Sequence, residues 1–221
     1  MSPRPHRIWI TRTRPEATTA RLRAVGFEPL AAPVLETRAV AAEVDLTGAD
    51  ALAFTSASGV RAFCDLSLDR ALTVFAVGEG TAAAAQAEGF DTIRTSNGDV
   101  QALAAFIAEA RPALVVNPTA RKPAADLVAL LAVRGVAARS LVVYETVPTH
   151  VAIPPGVDSI LIHSPRAAHI LSGQITSSQA SALTLFAISE AAAAPLRGLP
   201  FAAVIVAPFP DEASLLDLLQ G

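Results

Sequence analysis

RIWITRTRPEATTARLRAVGFEPLAAPVLET, residues 7–37, and ALVVNPTARKPAADLVALLAVRGVAARSLVVYET, residues 113–146, decide the fold because they follow one pattern twice. Each runs from a short apolar strand into a Thr/Arg turn, a proline-started helix, a glycine, a second strand and a Glu-Thr pair. In the first copy, Ile8 to Ile10 reads as a buried strand and Thr11 to Arg14 as the turn. Pro15 then reads as an early helical position, where its missing N–H costs little. Leu22 and Val25 are expected on one helical face, and Gly26 ends the helix as a residue tolerant of the left-handed conformation.

The pairing extends outward from these stretches. DALAFTSASGVRAF (50–63) answers DSILIHSPRAAHIL (158–171), and VFAVGEGTAAAA (74–85) answers LFAISEAAAAPL (185–196). Asp99, Val100 and Leu103 open an amphipathic helix, as Asp211, Glu212 and Leu215 do near the end. Any two α/β units share features, but elements recurring in the same order at nearly constant spacing indicate internal duplication. Short apolar runs alternating with helical segments mark parallel sheets covered by helices. The fold class is therefore α/β, with two similar domains expected around a cleft. Either each copy forms its own domain, or the copies exchange their first strand-helix-strand units, and the residues leave both open. Glu36-Thr37 and Glu145-Thr146 stand at matching points, flanked by Pro33 and Pro148, and are candidate strands crossing between domains.

Composition narrows the function classes. With 221 residues and 52% hydrophobic content the chain can bury a sizeable core, which argues against disorder. No apolar run approaches the roughly 18 residues of a membrane-spanning helix. The polar stretch Met1 to Arg7 lacks the apolar core of a secretory signal, so a cytoplasmic protein is expected. Lone Cys64 excludes an internal disulfide and suits a reducing compartment. A net charge of −3 argues against general nucleic-acid binding, while a local positive patch could still hold an anionic ligand.

Four turns follow predicted strands directly: Thr55-Ser56-Ala57-Ser58, Gly78-Glu79-Gly80-Thr81, His163-Ser164-Pro165 and Ser189-Glu190-Ala191. In a parallel sheet this is the carboxyl edge, where helix N-termini offer N–H groups and partial positive charge to anions. The same hydroxyls are equally the signature of ordinary helix N-caps. GEGT lacks the glycine spacing of a dinucleotide fingerprint and the lysine of a P-loop. Arg12 and Arg14 in the first turn match Arg121 and Lys122 in the later one, and Arg166 follows His163-Ser164-Pro165. Guanidinium groups repeated in the turns of both halves suit carboxylate or phosphate recognition, and a ligand with several anionic groups fits best. His6, His150, His163 and His169 have no carboxylate or cysteine at ligand spacing, so no metal site is expected. Cys64 reads as a buried thiol in an apolar helix. Tyr144, the only tyrosine, could present a phenol to a cleft or pack its ring at a domain junction.

ITRTRPEA (10–17), PVLET (33–37), FTSASGVRAF (54–63), FAVGEGTAAA (75–84), VVYETVP (142–148) and HSPRAAHIL (163–171) together resemble the motif series of the uroporphyrinogen-III synthase family along nearly the whole chain. The resemblance implies two flavodoxin-like domains, one of them discontinuous, joined by a two-stranded β linker, with the active site in the cleft. Residues 1–34 and 148–221 would form one domain, 39–140 the other, and 35–38 with 141–147 the linker. It implies cyclisation of hydroxymethylbilane, a linear tetrapyrrole polycarboxylate, with loss of water and inversion of ring D. No cofactor is implied, and a monomer is expected.

By the same resemblance Tyr144 assists loss of the substrate hydroxyl, and Thr55, Ser56, Gly78, Thr81 and Ser164 belong to cleft-lining turns. Arg121 or Lys122 falls near a basic position. Arg12, Arg14 and Arg166 are further candidates for substrate carboxylates. The turn that carries threonines in the family reads Ser189-Glu190-Ala191-Ala192 here, which puts backbone amides in place of hydroxyl contacts. A reading from another class is a non-catalytic two-domain cytosolic protein that binds a small polyanion.

Overall fold

The computed structural model describes residues 6–96 and 98–220, so the polar N-terminal stretch read for a missing secretory signal lies mostly outside it. The chain divides into two compact units. The first runs to Glu36 and resumes at Val147, and the second runs from Thr37 to Thr146. Among the described residues no helix is long and apolar enough to cross a membrane.

The first unit holds β1 (Arg7–Ile10), α1 (Glu16–Ala24) and β2 (Glu28–Ala31). β3 (Leu35–Ala39) carries the chain into the second unit, which holds β4 (Ala51–Phe54), α2 (Ala57–Cys64), β5 (Thr73–Ala76), α3 (Glu79–Ala87), β6 (Ile93–Thr95), α4 (Val100–Ala110), β7 (Val115–Ala120), α5 (Leu127–Val133) and all of β8 (Ala138–Pro148) but its last two residues. The chain then returns to the first unit for β9 (Ser159–Ile162), α6 (Pro165–Ser172), α7 (Ser177–Ala180), β10 (Thr184–Ala187), α8 (Glu190–Ala193), β11 (Ala203–Val206) and α9 (Glu212–Asp217). Both passages between the units fall inside strands, β3 and β8.

The sheet orders are β11-β10-β9-β1-β2 and β3-β8-β7-β4-β5-β6. Apart from the added edge strand β3, they correspond strand for strand: β9 to β4, β10 to β5, β11 to β6, β1 to β7 and β2 to β8. The pairings within these corresponding sets are parallel. The duplication is thus present in the fold itself.

Parallel strands covered on both faces must be apolar throughout, and β4 and β9 are buried at every position. Alternation then sorts the side chains. In the first unit Trp9 joins Ile160, Ile162 and Leu185 on one face, while Ile8 and Ile10 join Leu161 and Phe186 on the other. In the second unit Ala51, Ala53 and Val115 lie under Leu103 and Ile107, and Leu52 and Phe54 lie under Phe63 and Phe90.

Three local expectations are corrected. Val25 is half exposed rather than facing the core with Leu22, because the helix ends at Ala24 and Val25 is its C-cap. In the later repeat Pro123 does not start a helix. Asp126 accepts the Ala129 N–H at 3.0 Å, and that cap sets the start at Leu127, after an exposed loop. In the first repeat Pro15 is itself the N-cap, one position before the helix. Gly26 and Gly135, with φ of 88° and 73°, close the two equivalent helices in the conformation that favours glycine.

Candidate functional site

In each sheet the chain runs outward on one side of a central strand and returns on the other. The reversals lie between β1 and β9 in the first unit and between β4 and β7 in the second. At such switch points the helices on either side diverge, leaving a crevice at the carboxyl edge of the strands. Every turn singled out from the sequence lies at this edge: those of Arg12 and Arg14 after β1, Thr55 and Ser56 after β4, Gly78 after β5, Arg121 and Lys122 after β7, Ser164 after β9 and Ser189 after β10.

The second unit's switch point is shaped by two sequence features. Pro118 has no N–H to give the ladder, and paired register between β4 and β7 stops at Leu52 and Val116. The buried Asn117 amide replaces the missing backbone donor by bonding the Ala53 carbonyl at 2.7 Å. On the same spot α2 lies close to the sheet: a Cβ on Gly59 would come within 2.8 Å of the Pro118 carbonyl oxygen. Ser56 caps this helix by accepting the Gly59 N–H at 3.1 Å.

Tyr144 approaches from β8. The β7–β8 register pairs Thr119 with Val142 and then Ala120 with Tyr144, a bulge that changes which way the end of the strand faces. The Arg121 N–H holds the Tyr144 carbonyl at 2.9 Å, and the half-buried Tyr144 hydroxyl lies 3.0 Å from Ser56 Oγ. Arg121 Nε donates to Glu145 at 3.0 Å, which balances its charge locally, and Lys122 is exposed. Thr81 is buried in the first turn of α3, and Gly78 caps that helix without a side-chain hydrogen bond.

The first unit's switch point carries different groups. Arg12 Nη1 bonds Glu212 at 2.9 Å and Thr18 at 3.2 Å, Thr18 donates to the other Glu212 oxygen, and His163 Nε2 lies 3.2 Å from the same carboxylate. Burial alone would raise the Glu212 pKa, but the contacts with His163, Thr18 and Arg12 outweigh it and hold the carboxyl at about 2. His163 is nine-tenths buried, and its Nδ1 meets no partner among the described residues. A cavity of about 410 Å³ opens here, lined by Arg12, Arg21, His163, Ile188, Pro210 and Glu212. Ser164 and Ser189 act as N-caps, accepting from Ala167 at 3.1 Å and Ala192 at 3.2 Å. Arg14 and Arg166 are exposed.

No histidine has a carboxylate at ligand spacing in the sequence, but the fold brings His163 to face Glu212 and places His6 3.2 Å from Asp158. Both partners are distant in sequence, and only the topology brings them together. Among the described residues no group of three or more His, Cys, Asp or Glu could hold a metal ion. Cys64 is partly buried, and burial pushes its thiol up to about 11, away from the reactive thiolate form.

The family profile described as uroporphyrinogen-III synthase HemD matches residues 16–217. The chain belongs to the uroporphyrinogen-III synthase family. Solved structures show the same fold. The uroporphyrinogen-III synthetase of Helicobacter pylori 26695 is 18% identical, with 98% of each chain covered and a TM-score of 0.70. A mutant uroporphyrinogen III synthase of the extremely thermophilic bacterium Thermus thermophilus is 20% identical, with 97% of each chain covered and a TM-score of 0.54. No curated protein matches the chain. As a member of the uroporphyrinogen-III synthase family the chain is a cyclising lyase of tetrapyrrole biosynthesis. The match with the uroporphyrinogen-III synthase profile takes in every candidate residue except Arg12 and Arg14, which precede it.

Proposed function

We propose that the chain converts hydroxymethylbilane to uroporphyrinogen III as a cytoplasmic monomer without a cofactor. The observation that carries this reading is the Tyr144 hydroxyl, half-buried at the switch point of the second unit and held 3.0 Å from Ser56. A phenol in that setting is a proton donor suited to a poor leaving group.

In the proposed sequence Tyr144 gives its proton to the ring A hydroxyl, the C–O bond breaks, water leaves and an azafulvene cation remains. Ring D attacks through its substituted carbon to give a spiro intermediate. That intermediate fragments and recloses with ring D inverted, and the proton lost from the pyrrole carbon at closure returns to the tyrosinate. One water is released overall. Because the open tetrapyrrole also closes unaided to the type I isomer, the protein acts chiefly by holding ring D for the spiro route.

Arg14, Lys122 and Arg166, exposed beside the carboxyl edges of the two sheets, together with the backbone amides after Gly78, are the groups proposed to grip acetate and propionate side chains. Arg12, paired with Glu212, is assigned instead to bracing its turn. Ser189 contributes through its turn's backbone, since its hydroxyl already serves as a cap. The test is to incubate purified protein with fresh hydroxymethylbilane, oxidise, and resolve the porphyrin isomers. Excess type III isomer is expected; type I at the uncatalysed rate would leave a non-catalytic polyanion-binding protein.

A further inference from the structure

Ser56, in a carboxyl-edge turn, has hydrogen bonds that run to both a helix and the tyrosine, and its valences can be counted. A serine hydroxyl has one proton and two lone pairs. One lone pair receives the Gly59 N–H at 3.1 Å, and Tyr144 Oη lies at 3.0 Å. Accepting a backbone N–H polarises a hydroxyl and makes its own proton a better donor, and the partial positive charge at the N-terminus of α2 acts in the same sense.

We infer that Ser56 is a positioning residue for Tyr144: the chain Gly59 N–H to Ser56 Oγ, then Ser56 O–H to Tyr144 Oη, directs the tyrosine's own proton away from the protein. The inference rests on the reading of Tyr144 as the acid of the proposed reaction. It changes the role of Ser56 from a contact with substrate to a group that acts through another.

The fold holds this chain in place. Gly59 lets α2 seat against the Pro118 carbonyl, and the Arg121 N–H fixes the backbone of Tyr144 on the adjoining strand. A donor to the phenol oxygen stabilises phenolate, so its removal must raise the pH at which Tyr144 ionises. A substrate-gripping serine would leave that titration alone and alter KM. The duplication supplies a control, because Ser164 caps α6 with the same geometry, accepting from Ala167 at 3.1 Å.

Tyr144 is the only tyrosine, so the absorbance rise near 295 nm on alkaline titration of the full chain reports this residue alone. Ser56→Ala is expected to raise the midpoint by about half a unit to one unit. Ser56→Gly, which preserves most of the capping, should do the same if the alanine variant folds poorly. Ser56→Thr should restore the parent midpoint, and Ser164→Ala should not move it. In the isomer assay Ser56→Ala should lower kcat about tenfold with KM little changed. An unmoved midpoint in both Ser56→Ala and Ser56→Gly overturns the inference, whatever the isomer assay gives. A midpoint that moves in a chain making no type III isomer supports the Ser56–Tyr144 coupling and overturns the proposed reaction.

Discussion

The two units keep the same strand order, and they also satisfy the same backbone groups at the same places. Asp50 takes the Leu114 N–H at 3.1 Å where β7 begins, and Asp158 takes the Arg7 N–H at 3.2 Å where β1 begins. At the other end, the Ala53 carbonyl is bonded by Asn117 and the corresponding Leu161 carbonyl by Thr11, each at 2.7 Å. The residues differ, but the requirement is the same: a buried carbonyl at a splaying strand pair needs a donor. Above this shared frame the units diverge. The second places Ser56 beneath Tyr144, and the first places Leu35 at the tyrosine's position and fills its switch point with Arg12, His163 and Glu212. What the backbone demands has been retained in both copies, and what the side chains do has been free to separate.

The largest effect should follow from removing the feature that only one copy has. Tyr144→Phe keeps the ring and its packing, and is expected to lower turnover about 100-fold, the low end for general acid catalysis. Thermal unfolding should stay near that of the parent. Turnover within twofold of the parent would return Tyr144 to a packing role and erase the proposed chemical difference between the units.

Gly59 offers the next contrast. The equivalent position in α6 is Ala167, so α2 alone needs a residue without Cβ to approach its sheet. Gly59→Ala should destabilise by about 2 kcal/mol, since a Cβ 2.8 Å from a backbone oxygen forces the helix outward. A denaturant midpoint equal to the parent's would mean that α2 can retreat as freely as α6.

Glu212 tests the other side of the comparison. Its folded pKa, about 2 against an ordinary 4.5, is depressed, so its contribution is present above pH 4.5 and is lost as pH falls toward 2. With the side chain 22% exposed, screening reduces that contribution to about 1–2 kcal/mol. Glu212→Gln should therefore be less stable than the parent by this amount at pH 7, and the gap should close by about pH 2. A gap that persists in acid would assign the effect to hydrogen bonding or packing rather than to charge.

The contrast between the copies also explains how far the sequence could be read. Elements that repeat were legible, because Ser56, Ser164, Asp99 and Asp211 announce the starts of α2, α6, α4 and α9, and Gly26 and Gly135 announce the ends of α1 and α5, by local chemistry. The turns that carry the candidate residues were legible for the same reason. Their partners were not. Arg12 meets Glu212 across 200 positions, and Tyr144 reaches Ser56 across 88 at a bulge. Pairing at such range is set by strand register, which alternating apolar residues alone do not reveal. Pro123 misled because proline permits a helix start without requiring one, while Asp126 supplies the hydrogen bond that fixes it.

The smallest effect is expected where one copy lacks a device that the other has. Gly78 and Ser189 occupy matching positions after β5 and β10, both in extended backbone that any residue adopts. Ser189 accepts the Ala192 N–H, whereas Gly78 leaves its helix uncapped by any side chain, and a Cβ built there meets nothing within 4 Å. Gly78→Ser should therefore give α3 the cap that α8 already has and stabilise the chain by a few tenths, about 0.3 kcal/mol. Measured on the denaturant midpoint, a gain of that size would mark glycine there as dispensable to the fold. If the same variant loses turnover, the bare amides after Gly78 are needed for carboxylates, and that copy's missing cap is where scaffold and binding part ways.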